Sequence, residues 1–233
     1  MKNSTAVILG LFMVLAFGVF GWYFKQSRQQ QQTVKVVGYA THEFESNLVK
    51  WSVTLSQRVS MSGTEEGYRL MAKKLGSFKE VWESTGISAD EFKVFPITVN
   101  GEYGNGGQVG YNLTQRIYLL SNDLEKIEQI AVNPAVFVNA GLAFDNSQME
   151  FFSTDLEDIK KDLLGAATQN ARERAELIVS TTDLQVDKLL SARSGVFQIT
   201  EPYSTEVAGY GVHNTSSPIK NIKVTVSAEF SLK

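Results

Sequence analysis

The chain has 233 residues, of which 43% are hydrophobic and 20% are charged, and its formal net charge is −3. This composition is typical of a globular protein and excludes an intrinsically disordered one. There is no cysteine, which excludes a disulfide framework, thiolate metal sites and a lipid-modified cysteine. Three of the 22 basic residues lie in the first 32 residues, so the rest of the chain has 19 basic against 25 acidic residues. That balance argues against a nucleic-acid partner, which requires clustered Lys and Arg.

An uncharged and mostly apolar run of 19 residues, Ala6–Phe24, lies near the start of the chain. In a helix, at about 1.5 Å per residue, such a run just spans a hydrocarbon core of about 30 Å. We therefore expect residues 1–32 to be a membrane anchor that ends in a Gln-rich spacer. The alternatives are a cleaved signal peptide, with a cut site near Ala16-Phe17-Gly18, and a buried core helix.

Alternating apolar and polar residues predict several half-buried strands in residues 33–233. The predicted strands are Val34–Glu45, Leu48–Ser56, Glu91–Tyr103, Val109–Leu120, Asn139–Ser147, Leu189–Ile199 and Ile222–Leu232. The glycine-rich segment Gly101–Gly110 is predicted to form a long hairpin loop between two of them.

Apolar residues at spacings of three and four predict two long helices, Thr64–Ser84 and Thr154–Thr181, and a shorter one at Asp123–Ala131. Thr154 and Glu157 fit a capping box, and alanines along the second long helix would let it lie close to a sheet. We expect an α+β fold with mostly antiparallel sheets and helices packed on one face. Residues 33–138 and 139–233 would form two loosely similar α/β halves.

The sequence contains no recognisable catalytic or metal-binding motif. His42 and His213 are far apart along the chain, and His42 is interpreted as a surface residue. There is no G-x-S-x-G nucleophile elbow, and the glycine-rich segment lacks the Gly-Lys-Ser/Thr and the helix of a phosphate-binding loop. We therefore expect no catalytic residue, no metal site and no cofactor, and a protein that is not an enzyme.

A long polar segment near the C-terminus, Glu201–Pro218, places Tyr203, Tyr210 and His213 among Gly, Ser and Thr residues. Long loops of this kind often carry binding residues. We interpret the segment as a candidate contact loop. The alternative is an ordinary connection between strands.

Several short sequence motifs follow one another along the chain, and their order carries a resemblance to a known protein family. The first is a V-x-G-x-G-like strand at Val36–Ala40, with Ala40 in place of the second glycine. The others are Trp51–Ser56, Thr85-Gly86-Ile87 with Asp90-Glu91-Phe92, Gly110–Leu119, Asp123–Lys126, Asn139–Phe144, the helical set Ala167, Ala171, Arg172, Ala175 and Glu176, and the segments Ser191–Thr200 and Lys223–Leu232. Taken together, residues Val34 to Leu232 resemble the SIMPL-domain family of bacterial envelope proteins, formerly a domain of unknown function.

The resemblance implies a periplasmic or envelope-facing α/β protein without known catalysis and without established active-site residues. It also implies a link to oxidative-stress defence and, for some members, ring- or channel-like homo-oligomers. We expect a non-enzymatic protein, held in the inner membrane by Ala6–Phe24 with its body in the periplasm, that acts by homo-oligomerisation or protein binding. The alternatives are a periplasmic form released by signal cleavage, a small-molecule or lipid binder with a cleft between the halves, and a hydrolase with an unusual Ser/His/Asp site.

Overall fold

The computed structural model describes residues 2–27, 32–87 and 91–233. In these ranges the helices are α1 (Lys2–Ser27), α2 (Thr64–Ser84), α3 (Leu124–Val132), α4 (Ala135–Asn139) and α5 (Leu156–Val179). The strands are β1 (Thr33–Glu45), β2 (Leu48–Ser60), β3 (Glu91–Val94), β4 (Thr98–Gly104), β5 (Gly107–Ser121), β6 (Phe144–Phe152), β7 (Val186–Ser194), β8 (Gln198–Thr200), β9 (Val212–His213) and β10 (Ile219–Leu232).

The strands form two five-stranded sheets. The first has the order β1-β10-β8-β9, with β7 also paired to β10. The second has the order β3-β5-β2-β6, with β4 also paired to β5. The pairings within the second sheet are antiparallel, as are β7 and β8 with β10, whereas β8 and β9 are parallel. The predicted α+β class with mostly antiparallel sheets is therefore confirmed.

The chain divides into two compact units, each assembled from separate stretches of sequence. The smaller unit comprises Met1–Tyr39, Ala167–Ser194 and Val226–Lys233, and the larger one Ala40–Ala166 and Gly195–Thr225. The similarity of the consecutive halves 33–138 and 139–233 stays a prediction.

An aromatic cluster forms the centre of the larger unit. Trp51 of β2 is fully buried, and its ring centroid lies between 5.7 and 6.5 Å from those of Phe78, Trp82, Phe137 and Phe144. Its indole N–H donates to the hydroxyl of a β6 serine at 2.9 Å, so the polar atom of this large side chain is paired. The alternating apolar residues that predicted β2 therefore lie on the face of the strand that is buried in the core.

In the smaller unit, β1 packs against α5 through small residues. Ala167, Ala171 and Ala175 are fully buried on α5. A Cβ added to Gly38 would collide with the backbone of Ala167 and Ala171, so only glycine permits this close approach. The predicted close packing of the alanine face against a sheet is confirmed, and it gives the glycine of the V-x-G motif a structural reason.

Three predicted strands are divided or shifted in the structure, and the other four differ from it only at their ends, by up to four residues. Glu91–Tyr103 is divided into β3 and β4, with Pro96, which lacks an N–H, in the break. Leu189–Ile199 is divided into β7 and β8, with Gly195 in the break. Asn139–Ser147 starts in the last residue of α4 and a turn, and β6 begins only at Phe144.

Two local predictions are wrong. Gly101–Gly110 is not a long loop, because β4 and β5 pair up to Gly104 and Gly107 and leave the two-residue turn Asn105-Gly106, which favours a tight hairpin. Thr154 does not cap α5, which begins at Leu156. Instead, the side chain of Asn47 holds Thr154, accepting from its backbone N–H at 3.0 Å and donating to its hydroxyl at 2.8 Å.

The predicted anchor, Ala6–Phe24, falls within α1. The structure describes the side chains of this helix from Gly10 to Lys25, and all of them are exposed. No helix in the described part of the chain provides an apolar stretch of the length needed to cross a membrane. Most of the predicted Gln-rich spacer, up to Gln31, lies outside the described residues. So does Asp90, the first residue of the Asp90-Glu91-Phe92 motif.

Candidate functional site

The candidate contact loop belongs to the larger unit and connects β8 to β10 through the short strand β9. The side chain of Gln198 holds its middle, donating from Nε2 to the carbonyl of Ala208 at 2.8 Å and accepting from the N–H of Ala208 at 3.3 Å. Further along, Oδ1 of Asn214 accepts from the backbone N–H groups of Ser216 and Ser217 at 2.9 and 3.3 Å. The loop therefore has a defined path although little of it is regular structure.

Large side chains of this loop point into solvent. Tyr203, Val207 and Tyr210 are 101%, 77% and 92% exposed. Tyr203 has a φ of 63°, a left-handed conformation that costs energy in any residue with a Cβ. A fixed loop that presents exposed aromatic rings is typical of a protein-contact surface.

His213, the third residue predicted for the contact loop, lies in β9, where it pairs with Ile199 of β8. Among the described residues, no hydrogen bond or ring contact joins His213 to Tyr203 or Tyr210. Burial lowers the pKa of His213, and the positive charges of Lys220 and Lys160 lower it further. His213 thus belongs to the surroundings of Lys220 and not to the exposed aromatic surface.

The other predicted histidine, His42, is exposed in β1, as expected of a surface residue. Within the ranges that the structure describes, no group of three or more His, Asp or Glu side chains is arranged to hold a metal ion.

Lys220 of β10 is a candidate that the sequence motifs do not reveal. It is 1% exposed, and it lies in phase with Ile222 and Val224 on the inward face of the strand. Its Nζ lies 2.8 Å from Oγ of Ser46 and 2.5 Å from the carbonyl oxygen of Phe151. Ser46, in the turn between β1 and β2, is itself only 4% exposed. Extending the alternation of β10 two residues toward its start would have placed this lysine on the buried face.

Both protonation states of the Lys220 amine can make the hydrogen bonds around it. Burial lowers the pKa of Lys220 to about 8, because a low-dielectric interior disfavours the charged form. An ammonium has three N–H donors, and the described residues offer it two acceptors, Ser46 and Phe151. A neutral amine can instead accept from the Ser46 hydroxyl and donate to the Phe151 carbonyl.

Ser46 lines a cleft of ≈ 590 Å³ in the larger unit. The other lining residues are Glu45, Asn47, Asn122, Asp123, Leu124, Glu125 and Thr154. The backbone N–H groups beside the cleft already donate hydrogen bonds: that of Ser46 to the carbonyl of Pro218 at 2.8 Å, and that of Asn47 to the carbonyl of Phe152 at 3.0 Å. The cleft is also lined by the first turn of α3, whose cap Asp123 accepts from the N–H of Lys126 at 3.4 Å.

The two mostly antiparallel sheets with their helices define an α+β domain protein. A model of the SIMPL family, described as "Protein of unknown function (DUF541)", matches residues 34–232. The chain therefore belongs to the SIMPL family, and the predicted resemblance is confirmed over almost the whole body. No curated protein matches the chain.

Proposed function

We propose that the protein is a bacterial envelope protein, anchored in the inner membrane by Ala6–Phe24 with its body in the periplasm, that acts by homo-oligomerisation or protein binding. A role in oxidative or envelope stress defence is part of this proposal and derives from the family resemblance alone. The observation that carries the binding role is the exposure of Tyr203 and Tyr210 on a loop whose path is fixed by hydrogen bonds.

The exposure of α1 supports the anchor. Its large apolar side chains between Leu11 and Phe24 are 47–74% exposed, and they surround the helix. A helix that is apolar on every side needs an apolar environment. The apolar sequence starts at Ala6, four residues before the first side chain of α1 that the structure describes, and Trp22 with Tyr23 suits the membrane interface.

The distribution of charge also supports the anchor. The unit that contains α1 carries nine basic and five acidic residues. The other unit carries 13 basic and 20 acidic residues. Anionic lipid headgroups attract basic segments close to the membrane and repel acidic ones. Three of the nine basic residues lie in residues 1–32 and the rest of this unit is nearly neutral, with six basic and five acidic residues, so the acidic excess lies in the unit without the proposed anchor.

Two charges within α1 test the anchor. The double variant V14R/F17R should leave the membrane fraction, because each arginine at a helix centre costs about 2.5–3.5 kcal/mol of insertion free energy. Alkaline carbonate extraction measures this loss, and V109R, an exposed position in β5, is the matched control. Release of the wild-type chain by carbonate would refute an uncleaved anchor, and N-terminal sequencing of the mature protein separates it from a cleaved signal.

The binding role is tested with the exposed tyrosines. We expect the full-length chain in detergent to self-associate, and Y203A/Y210A to weaken that association at least tenfold, because aromatic residues dominate protein contacts. Y103A, which removes a 75% exposed tyrosine from β4, is the matched control. Sedimentation velocity measures the assembly, and a strict monomer at high concentration contradicts the homo-oligomer. If Y203A/Y210A assembles like the wild type, the loop is a connector.

That the chain is not an enzyme stays a prediction. Ser46 and Lys220 are the place in the larger unit where it can be tested.

A further inference from the structure

We propose that Ser46 is a nucleophile activated by Lys220 as its general base, and that the adjoining cleft takes a small carboxylic ester without negative charge. This inference goes beyond the proposed function and depends neither on the anchor nor on assembly.

The geometry of the pair is that of a nucleophile and its base. The 2.8 Å between Ser46 Oγ and Lys220 Nζ lies within the roughly 2.6–3.2 Å over which a base can take a hydroxyl proton. The carbonyl of Phe151 holds the amine from a second side, at 2.5 Å. Serine–lysine pairs perform acyl transfer on unrelated folds, so the pair is recognised by geometry and not by a motif.

A lysine acts as a base only in its neutral form, and its burial at 1% exposure provides that form. The lowered pKa, about 8, leaves part of the Lys220 population neutral near physiological pH, where ordinary lysines are almost fully charged. Position and protonation state thus favour the same role.

The cleft beside Ser46 is the route by which a substrate would reach the hydroxyl, and the charges of its lining residues set which substrate fits. Its wall includes Leu124 and Glu125 in the first turn of α3, where backbone N–H groups point out of the helix and favour negative charge. Such amides suit the oxyanion that develops on a substrate carbonyl. The side chains of Glu45, Asp123 and Glu125 would repel an anionic substrate, so an uncharged or cationic ester fits best.

The reaction balances with water as the only co-reactant. The Ser46 proton passes to the lone pair of Lys220 Nζ while Oγ bonds to the ester carbon, and the carbonyl π electrons move to its oxygen. The carbonyl then re-forms, the bond to the alcohol oxygen breaks, and that oxygen takes the proton from Lys220. Water repeats the sequence on the acyl-serine, giving up a proton to Lys220, which returns it to Ser46 as the carboxylic acid leaves.

Other titratable groups lie near the pair. Glu45 precedes Ser46 along the chain, and Glu150 precedes Phe151 in β6. His213 on β9, whose pKa is lowered by burial, is close enough for the charges of Lys220 and Lys160 to lower that pKa further. Glu150 is ion-paired with Lys50 at 2.8 Å, and the cationic form of His213 is disfavoured by the charge of Lys220. A pH profile of Ser46 reactivity must therefore be shown to depend on Lys220 itself.

Fluorophosphonate labelling of the full-length chain in detergent, with peptide mapping, tests the pair. We expect the label on Ser46, and we expect the labelling rate to rise with pH with a midpoint of about 8. S46A should abolish the label, and K220M should slow it at least about 100-fold and remove the pH dependence, since a general base contributes 10²–10⁴. S56A is the matched control. The hydroxyl of Ser56 donates to Asp145 at 2.7 Å, and neither residue lines the cleft, so removal of this hydroxyl should leave labelling unchanged.

A second variant distinguishes access from activation. In a chain without cysteine, S46C places a single thiol at this position, and iodoacetamide reports whether reagents reach it. Labelling of Ser46 together with turnover of p-nitrophenyl acetate that S46A lacks supports the proposal. An S46C thiol that does not react, or one that reacts while Ser46 takes no label between pH 7 and 9.5, overturns it.

Discussion

Replacement of Lys220 by methionine is the most direct test of how the buried amine affects stability. Methionine has a similar length and keeps the apolar contacts of the side chain, but it removes the titrating group. The amine is 1% exposed, and burial lowers its pKa from 10.5 to about 8 in the folded protein. At one pKa unit per 1.36 kcal/mol, protonation at neutral pH costs the folded state about 3 kcal/mol relative to the unfolded one.

The sign of the pH dependence follows from which state holds the proton. Well below pH 8 both states are almost fully protonated, and the cost of the buried charge is fully present. Between pH 8 and 10.5 the folded protein releases the proton of Lys220 while the unfolded chain keeps it, so stability rises with pH. The wild type should therefore gain up to about 3 kcal/mol of unfolding free energy across this window, and K220M should lack this gain.

Urea denaturation at pH 7, 8, 9 and 10, followed by circular dichroism, measures the difference. K223M is the matched control, because it removes an ammonium from an exposed position of the same strand. We expect the K223M and wild-type curves to run parallel, and the K220M curve to diverge from both above pH 8. Parallel curves for the wild type and K220M from pH 7 to 10 would refute a lowered pKa of the buried Lys220 amine.

Three further predictions concern packing, strain and charge. Gly38→Ala should destabilise the protein by about 3 kcal/mol or more in urea denaturation, because its Cβ meets the α5 backbone, whereas Gly76→Ala, in open space on α2, should stabilise it by about 1 kcal/mol. A destabilisation by Gly38→Ala below about 1 kcal/mol would contradict the close approach. Tyr203→Gly should be about 1 kcal/mol more stable than Tyr203→Ala, since both lose the exposed ring and only glycine relieves the left-handed φ of 63°; equal midpoints would remove the strain argument. Lys220→Met should raise the pKa of His213 in an NMR titration, because a positive charge that lowers it is gone, and an unchanged pKa would separate the two groups.

Local sequence signals predicted most of the regular elements. The apolar spacing of α2 predicted its bounds, Thr64–Ser84, and Asp123 at the start of the predicted short helix is the observed cap of α3. The alternation in β2 and β10 predicted their inward faces. These signals succeed because periodicity and capping depend on neighbouring residues. The strand breaks at Pro96 and Gly195 are also local, and near Pro96 the apolar residues change phase, from Phe92 and Val94 to Ile97 and Val99, a signal that the strand prediction did not use.

By itself, the sequence determined the α+β class, the family, the apolar run at Ala6–Phe24 and the absence of a known catalytic motif. Only the tertiary structure brought Ser46 to Lys220, which is 174 positions away, and placed Gly38 against the backbone of α5. A serine in a turn and a lysine on a strand carry no local signal of each other. Burial and pairing depend on which distant strands the fold makes neighbours, and these set both the pKa of Lys220 and the chemistry open to Ser46.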